Sequence, residues 1–128
     1  MNMLEETWKL LTNISHNEFA ISNLGRIVHL KTQFFVRPYM HKSRGNYYLR
    51  VALGDKKYMV HVLVATMFKD KPGLEYVEVH HIDGNTLNPA ATNVEWTTKN
   101  WNKTIAWHYR RVNFNGQIFT AQYRPFKR

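Results

Sequence analysis

The sequence of 128 residues contains no cysteine, few acidic residues and no long hydrophobic run. Without cysteine, the chain can have no disulfide framework, no cysteine-ligated zinc site and no thiol nucleophile. Its longest apolar stretch, 59–65, contains a histidine and is too short to span a bilayer. The N-terminus is acidic and no hydrophobic region follows it, so we expect neither a signal peptide nor a membrane partner.

The scarcity of acidic residues leaves the chain strongly basic. There are 18 Lys and Arg residues against 9 Asp and Glu, which gives a formal net charge of +9. A hydrophobic fraction of 44% with 14% aromatic residues is sufficient for the small core of roughly one domain. This charge predicts an anionic partner, and nucleic acid is favoured over a membrane surface. Composition alone does not exclude the alternative that the charge serves only solubility.

The cations form two clusters around a near-neutral centre. Between Arg26 and Lys57 there are eight cations and one acid, and from Lys99 onward there are seven cations and no acid. Acids outnumber bases in the segment between these clusters. The distribution is typical of a chain that holds phosphates on two sides and carries out chemistry between them. Aromatic residues alternate with the cations, and we interpret most of them as core residues and some as stacking contacts.

Hydrophobic alternation and turn residues predict a mixed chain of strands and one short buried helix. The helix is predicted at 61–68, where apolar residues follow helical spacing, and His61 is interpreted as a satisfied packing residue on it. Contact of His61 with DNA or with an active site is the alternative. The basic stretch 41–45 is predicted to be a flexible loop. Strands are predicted in six segments: 19–23, 26–30, 47–53, 57–60, 77–82 and 93–96.

Further along the chain, an Asp83-Gly84-Asn85 turn and a polar loop separate the last two predicted strands. Thr97 or Thr98 then provides an N-cap for a helix that extends to about Tyr109. An Asn-Gly hairpin turn and a basic tail follow this predicted helix.

Histidine and amide side chains are concentrated in the near-neutral centre. Hydrolysis of a phosphodiester requires an activated water and a cation at the developing charge. A neutral imidazole is a good general base near pH 7, and an amide oxygen can orient it through its second ring nitrogen. Few protein groups are needed to hold Mg²⁺ or Mn²⁺, since phosphate and water complete the coordination shell. The residues of this group are His80, His81, Asp83, Asn93 and Asn102.

This group resembles the hallmark motif of the HNH endonucleases, in the phage and intron-homing branch of that family. The resemblance is carried by residues 79–85, Asn88, 93–98 and Asn102. Upstream, segment 60–68 is similar to the one that precedes the motif in these enzymes. Trp8-Lys9 together with 19–27 resembles the nuclease-associated module often found at their N-terminus. In total the resemblance covers about residues 7–105.

The resemblance implies an α+β fold, in which a small antiparallel strand-rich N-terminal arm precedes a ββα-metal nuclease core. The arm, residues 1–55, would be the nuclease-associated DNA-binding module. Residues 56–110 would form the HNH core, and residues 111–128 a basic C-terminal hairpin and tail.

The resemblance also implies a role for each motif residue. His81 matches the general base that activates water, and Asn93 matches the residue whose carbonyl orients that base. His80 and Asn102 match the ligands of one divalent metal ion, Mg²⁺ or Mn²⁺. His80 stands where relatives often have Asp, and a neutral imidazole suits softer ions, so Ni²⁺, Co²⁺ or Zn²⁺ stay open as alternatives.

The implied protein is a metal-dependent endonuclease acting on double-stranded DNA. It would nick one strand as a monomer or cut both strands as a homodimer. We expect a free-standing, phage-encoded homing-type enzyme in the host cytoplasm. A non-catalytic DNA-binding protein on the same fold, and a phage packaging or structure-specific nuclease, are the alternatives. The cations expected to contact DNA are Arg26, Arg37, Lys42, Arg44, Arg50, Lys99 and Lys103.

Overall fold

The computed structural model describes residues 5–12 and 14–99, and this part of the chain is a strand-rich α+β fold. It contains one α-helix, α1 (Val60–Phe68), and two 3₁₀ turns, Ser15–Asn17 and Ala91–Asn93. The helix expected after Thr98, the C-terminal hairpin and tail, Asn102 and Lys103 lie outside the described residues. The strands are β1 (Trp8–Leu10), β2 (Phe19–Ser22), β3 (Ile27–His29), β4 (Tyr39–Ser43), β5 (Asn46–Leu53), β6 (Lys56–Met59), β7 (Glu78–His81) and β8 (Val94–Thr97).

The strands pair in three small antiparallel sheets. The first has the order β1-β2-β3, the second β4-β5-β6, and the third consists of β7 and β8. The predicted strands and the buried helix are confirmed, with ends shifted by a few residues. Alternation on β5 also behaves as expected, because Val51 and Leu53 are buried while Ala52 between them is exposed.

The prediction of a flexible loop at 41–45 is wrong. Residues Tyr39–Ser43 form β4, which pairs with β5 from Tyr39 opposite Arg50 to Ser43 opposite Asn46. Arg44 and Gly45 connect the strands with φ values of 52° and 87°. This left-handed pair matches the twist of a tight hairpin. The cations obscure the strand pattern in the sequence. The strand forms because its backbone pairs with β5, and not because its side chains favour an extended conformation.

A single hydrophobic cluster joins the three sheets around α1. Val60, Leu63, Val64 and Ala65 of the helix are buried in it. On β8, the Trp96 indole N–H lies 3.2 Å from the backbone carbonyl oxygens of both Ala65 and Lys69. The remaining buried members of the cluster are Leu11, Phe19, Ile21, Ile27, Val51, Leu53 and Val94. The core therefore fixes the β7–β8 hairpin against one side of α1.

The first sheet is anchored to the segment that leads into β8. The backbone N–H of Ala91 donates to the carbonyl of Asn23 at 2.7 Å. Gly25 lies against Pro89, and a Cβ at Gly25 would be 2.6 Å from the Pro89 Cγ. The expected division of the chain at residue 55 falls within the β5–β6 hairpin, where Leu53 is opposite Lys56. Among the described residues, no helix is long and apolar enough to cross a membrane.

Candidate active site

The two adjacent histidines of the motif lie at the end of β7 and project to opposite faces of the β7–β8 hairpin. His81 is opposite Val94 in the strand register, and His80 is opposite Glu95. Because neighbouring residues of a strand alternate in direction, His81 faces α1 together with the buried Val94. His80 lies on the other face and is half-buried. The hairpin thus places one imidazole inside the fold and one at its margin.

Two aromatic side chains from other elements lie next to the His81 ring. The ring centroid of His61, from α1, lies 4.6 Å from that of His81, with an interplanar angle of 47°. Tyr48, from β5, stacks on His61 at 5.4 Å and 27°, and its centroid lies 6.0 Å from that of His81. His61 and His81 are 8% and 5% exposed. The imidazole of His81 is therefore enclosed on the side of the core.

Burial keeps all three histidines of this region neutral at pH 7. It lowers the pKa of His81 to about 4, with a further contribution from His80 that exceeds the opposing effect of Asp83. Burial lowers the pKa of His61 to about 3, and the nearby His81 adds to this shift. The pKa of His80 is also lowered by burial. Within the described residues, the buried Nε2 of His81 and Nδ1 of His61 have no hydrogen-bond partner.

Asn93 holds the backbone that immediately follows His81. Its side-chain oxygen accepts a hydrogen bond from the N–H of Asp83 at 2.8 Å, and its main-chain carbonyl accepts from the N–H of Ile82 at 2.7 Å. Its side-chain amide donates to the carbonyl of Asn88 at 2.9 Å. These contacts end on backbone atoms and none of them reaches the imidazole. In the structure, Asn93 therefore fixes the end of the strand that carries His81.

The Asp83-Gly84-Asn85 segment forms the predicted turn, in which Gly84 has a φ of 78°. The Asp83 carboxylate accepts from the backbone N–H of Asn85 at 2.8 Å and from the side-chain amide of Asn88 at 3.1 Å. Burial raises the pKa of Asp83, but these hydrogen bonds outweigh it and the net shift is downward. The carboxylate is thus ionised, and its oxygens accept hydrogen bonds within the turn and the loop that follows it.

Two of the expected DNA-contacting arginines have partners within the protein. The Arg26 guanidinium forms an ion pair with Glu6, in which its Nε donates at 2.8 Å. It also lies over the Phe35 ring at 4.6 Å. Arg50 has its Nη1 2.9 Å from Nδ1 of His41. Arg50 is two residues from Tyr48 on β5, so both side chains project from the same face of the sheet.

The other expected contacts in the described region are exposed and come from three different segments of the chain. Lys42 and Arg44 lie near the tip of the β4–β5 hairpin, and the Lys42 ammonium is 5.8 Å from the centroid of the Tyr47 ring. Arg37 precedes β4, and Lys99 follows β8. Arg50 is linked to the surroundings of His81 through Tyr48, which shares its face of the sheet and lies 6.0 Å from the His81 ring.

His61 and Tyr48 are the residues that sequence reasoning did not assign to the site. Helical spacing already places His61 on the buried face of α1 with Val64 and Ala65. Its interpretation as a satisfied packing residue is wrong for Nδ1, which has no hydrogen-bond partner among the described residues. Its contact with His81 corresponds to the alternative noted from the sequence.

Comparisons with known proteins agree on one family, although no protein-family model matches the chain. Two uncharacterised HNH endonucleases of Acanthamoeba polyphaga mimivirus are 32% and 34% identical to it over 80 and 92 residues. These matches cover 61% and 69% of this chain, which spans only 20% and 27% of the length of those relatives.

A solved structure provides a second match. The structure, which concerns DNA binding and cleavage by the HNH homing endonuclease I-HmuI, has a TM-score of 0.66 and 27% sequence identity. The match covers 91% of this chain and 64% of that one. The fold thus corresponds to that of an HNH homing endonuclease. The resemblance of the motif to the HNH homing-type endonuclease family is confirmed by these matches.

Proposed function

We propose that the chain hydrolyses phosphodiester bonds in double-stranded DNA as a metal-dependent HNH endonuclease. The observation that carries this proposal is the neutral, buried His81 at the end of β7, whose Nε2 has no partner among the described residues. A positioned neutral imidazole can accept a proton from water. The likeness to I-HmuI, which binds and cleaves DNA, supports the same reaction here.

His81 is the proposed general base and Asn93 its positioning residue. His81 takes a proton from the water that attacks phosphorus, and the new bond joins the water oxygen to phosphorus. The bond to the 3′ oxygen breaks, and this oxygen leaves with the electron pair and takes a proton from solvent water. Asn93 supports this step by holding the backbone N–H groups of Ile82 and Asp83 directly after the base. An anionic phosphate beside His81 favours its protonated form and therefore raises its pKa toward neutrality when DNA is bound.

One divalent ion per active site belongs to this proposal, with His80 and Asn102 as its protein ligands. His80 fits this role, because its lowered pKa keeps the imidazole neutral and able to coordinate. In the described ranges, no group of three or more histidine, aspartate or glutamate side chains could hold an ion. Asn102, phosphate oxygens and water would complete the shell. The ion, Mg²⁺ or Mn²⁺ with Ni²⁺, Co²⁺ or Zn²⁺ as alternatives, would stabilise charge that develops on the phosphate.

The proposed DNA-binding surface extends from the active site along the second sheet. Residues 1–55 would act as the DNA-binding module, 56–110 as the ββα-metal core and 111–128 as a basic hairpin and tail. The shared face of Arg50 and Tyr48 supports this arrangement, because it connects a cation to the rings around His81. Phosphate contacts of this kind position a duplex without specifying its sequence. The proposed contacts are Arg26, Arg37, Lys42, Arg44, Arg50, Lys99 and Lys103.

We further propose that the enzyme nicks one strand as a monomer, since one site cuts one strand, and that a homodimer would cut both. A free-standing phage homing-type enzyme acting in the host cytoplasm is the proposed biological setting. The two relatives of viral origin support a viral setting in general.

A plasmid assay tests the function. Supercoiled DNA is incubated with wild type, His81→Gln or His16→Asn, with Mg²⁺, with Mn²⁺ or with EDTA. His16 is an exposed histidine at φ 59°, a conformation that Asn tolerates, so this variant is the matched control. We expect wild type and the control to nick DNA with metal and His81→Gln to be inactive. Equal cleavage by all three proteins would exclude His81 as the base. Salt-sensitive duplex binding without cleavage by any protein would favour a non-catalytic DNA-binding protein.

A further inference from the structure

His61 lies between two aromatic partners at the centre of the proposed active site. Its ring stacks on Tyr48 with centroids 5.4 Å apart and contacts His81 at 4.6 Å. The three side chains come from β5, α1 and β7, so their contact depends on the assembled fold. The proposed reaction assigns no role to His61 or to Tyr48.

Packing alone does not account for an imidazole at this position. The Nδ1 atom of His61 is buried and has no hydrogen-bond partner among the described residues. A buried polar atom without a partner destabilises the folded state, whereas an apolar side chain of similar volume would fill the same space without this cost. Val64 and Ala65, on the same face of α1, are apolar and fully buried. An exception to the apolar pattern of a core face is typical of a functional position.

The contacts of Asn93 do not restrain the side-chain torsions of His81. They fix the backbone of Ile82 and Asp83, but the imidazole can still rotate about its side-chain torsions, the second of which has broad energy minima. The rings of His61 and Tyr48 enclose the His81 ring and restrict that rotation.

From this geometry we propose that His61, supported by Tyr48, is a positioning residue that holds the His81 imidazole in its reactive orientation. The proposal deepens the nuclease function and rests on His81 as the base. Proton transfer depends steeply on orientation, so a ring that rotates freely loses turnover while binding of the duplex is unaffected.

Two substitutions and one matched control test this role by kinetics. His61→Leu removes the ring, His61→Phe keeps a ring of similar shape, and Leu63→Ala removes a buried side chain elsewhere on α1. We expect kcat of His61→Leu to fall about tenfold to a hundredfold with KM for DNA unchanged. His61→Phe should recover most of kcat. The melting temperature of His61→Leu should equal or exceed that of wild type, whereas Leu63→Ala should melt earlier with an unchanged kcat per folded molecule.

NMR of the protein without DNA gives a second readout that does not depend on cleavage. The imidazole signals of His81, assigned by their loss in His81→Gln, should carry the ring-current shift of neighbouring aromatic rings. We expect His61→Leu to move them toward the positions of a freely rotating histidine, and Tyr48→Leu to move them less. Unchanged His81 signals, or a kcat loss no larger than that of Leu63→Ala, would overturn the proposal. If wild type does not cleave DNA, the proposed function fails, and the His81 signals alone decide whether His61 orients that ring.

Discussion

The side-chain oxygen of Asn93 accepts a hydrogen bond from the backbone N–H of Asp83 at 2.8 Å. The main-chain carbonyl of the same residue accepts from the N–H of Ile82 at 2.7 Å. One residue therefore holds two consecutive amides directly after His81. Since Asn93 also precedes β8, whose first residue Val94 is opposite His81, it stabilises both the strand register and the end of β7.

Asn93→Ala is expected to destabilise the protein by about 1–3 kcal/mol, because it leaves the Asp83 N–H and the Asn88 carbonyl without their partner. Urea unfolding measures this loss. Asn85→Ala is the control, since Asn85 is exposed and water can replace the hydrogen bond that its side-chain oxygen accepts from the Leu87 N–H. A loss for Asn93→Ala no greater than for the control would contradict the structural role of Asn93.

Gly25→Ala is expected to lower stability more than Gly45→Ala. Both glycines have a left-handed backbone, with φ values of 93° and 87°, which costs a side chain roughly 1–2 kcal/mol. A Cβ at Gly25 would also lie 2.6 Å from the Pro89 Cγ, whereas at Gly45 it would meet nothing within 4 Å. This contact adds an overpacking cost of about 1–3 kcal/mol. Thermal unfolding of both variants measures the difference, and equal losses would show that Pro89 moves aside without cost.

Stability is expected to fall as the pH decreases from about 7 to 5. The pKa of His61 is about 3 in the folded protein against an ordinary value of 6.5, so the unfolded chain takes up the proton first. Stability from this group is therefore complete above pH 6.5 and is lost as the pH falls toward 3. Linkage gives roughly 2 kcal/mol per such histidine between pH 7 and 5, and His81, with a pKa of about 4, contributes in the same direction.

The variant His61→Leu isolates the contribution of His61 to this pH dependence. We measure its free energy of unfolding in urea at pH 5, 6 and 7. Between pH 7 and 5 this free energy should fall by roughly 2 kcal/mol less than that of wild type, which is the contribution of one histidine. Exposed His16 serves as the control through His16→Asn, which should retain the wild-type slope. Identical slopes for wild type and His61→Leu would show that the pKa of His61 is the same in the folded and unfolded protein.

Arg50→Gln tests the proposed DNA surface. If Arg50 contacts a phosphate, the variant should bind a labelled duplex more weakly and lower the log–log salt slope by about 1. Lys31→Gln removes an exposed charge between β3 and β4 that is not among the proposed contacts, and it should have a smaller effect. Equal effects of the two substitutions would indicate that net charge alone determines the affinity.

Much of this fold could be predicted from the sequence where a local pattern matched the period of the element. Helical spacing identified α1, and alternation identified β5, including the buried Val51 and Leu53. Strand β4 was missed because its cations obscure the pattern, and its stability comes from pairing with β5. The three-residue strand β1 was missed because it is too short for a period and forms through its register with β2.

The candidate site likewise has a part that could be predicted from the sequence and a part that could not. The spacing of His80, His81 and Asn93 is a linear motif and could be found in the sequence. The contact of His81 with His61 and Tyr48 could not, because these residues are 20 and 33 positions away and meet only when β5, α1 and β7 pack together. Asn93 bonds to backbone N–H groups and not to the imidazole. This choice of partners likewise depends on the conformation of the loop before β8, which the sequence does not reveal.

His80→Asp is expected to change the metal preference of the proposed nuclease. A neutral imidazole favours Mn²⁺, Ni²⁺ or Co²⁺ over hard Mg²⁺, whereas a carboxylate supplies the anionic oxygen that Mg²⁺ prefers. Plasmid cleavage is measured for wild type and His80→Asp in each ion after EDTA treatment, and the ratio of the Mg²⁺ rate to the Mn²⁺ rate is compared. The ratio should rise in His80→Asp, and His80→Ala should lose activity in both ions. His29→Asp, at a half-buried histidine of the first sheet, should leave the ratio unchanged. An unchanged ratio in His80→Asp would mean that residue 80 does not bind the ion.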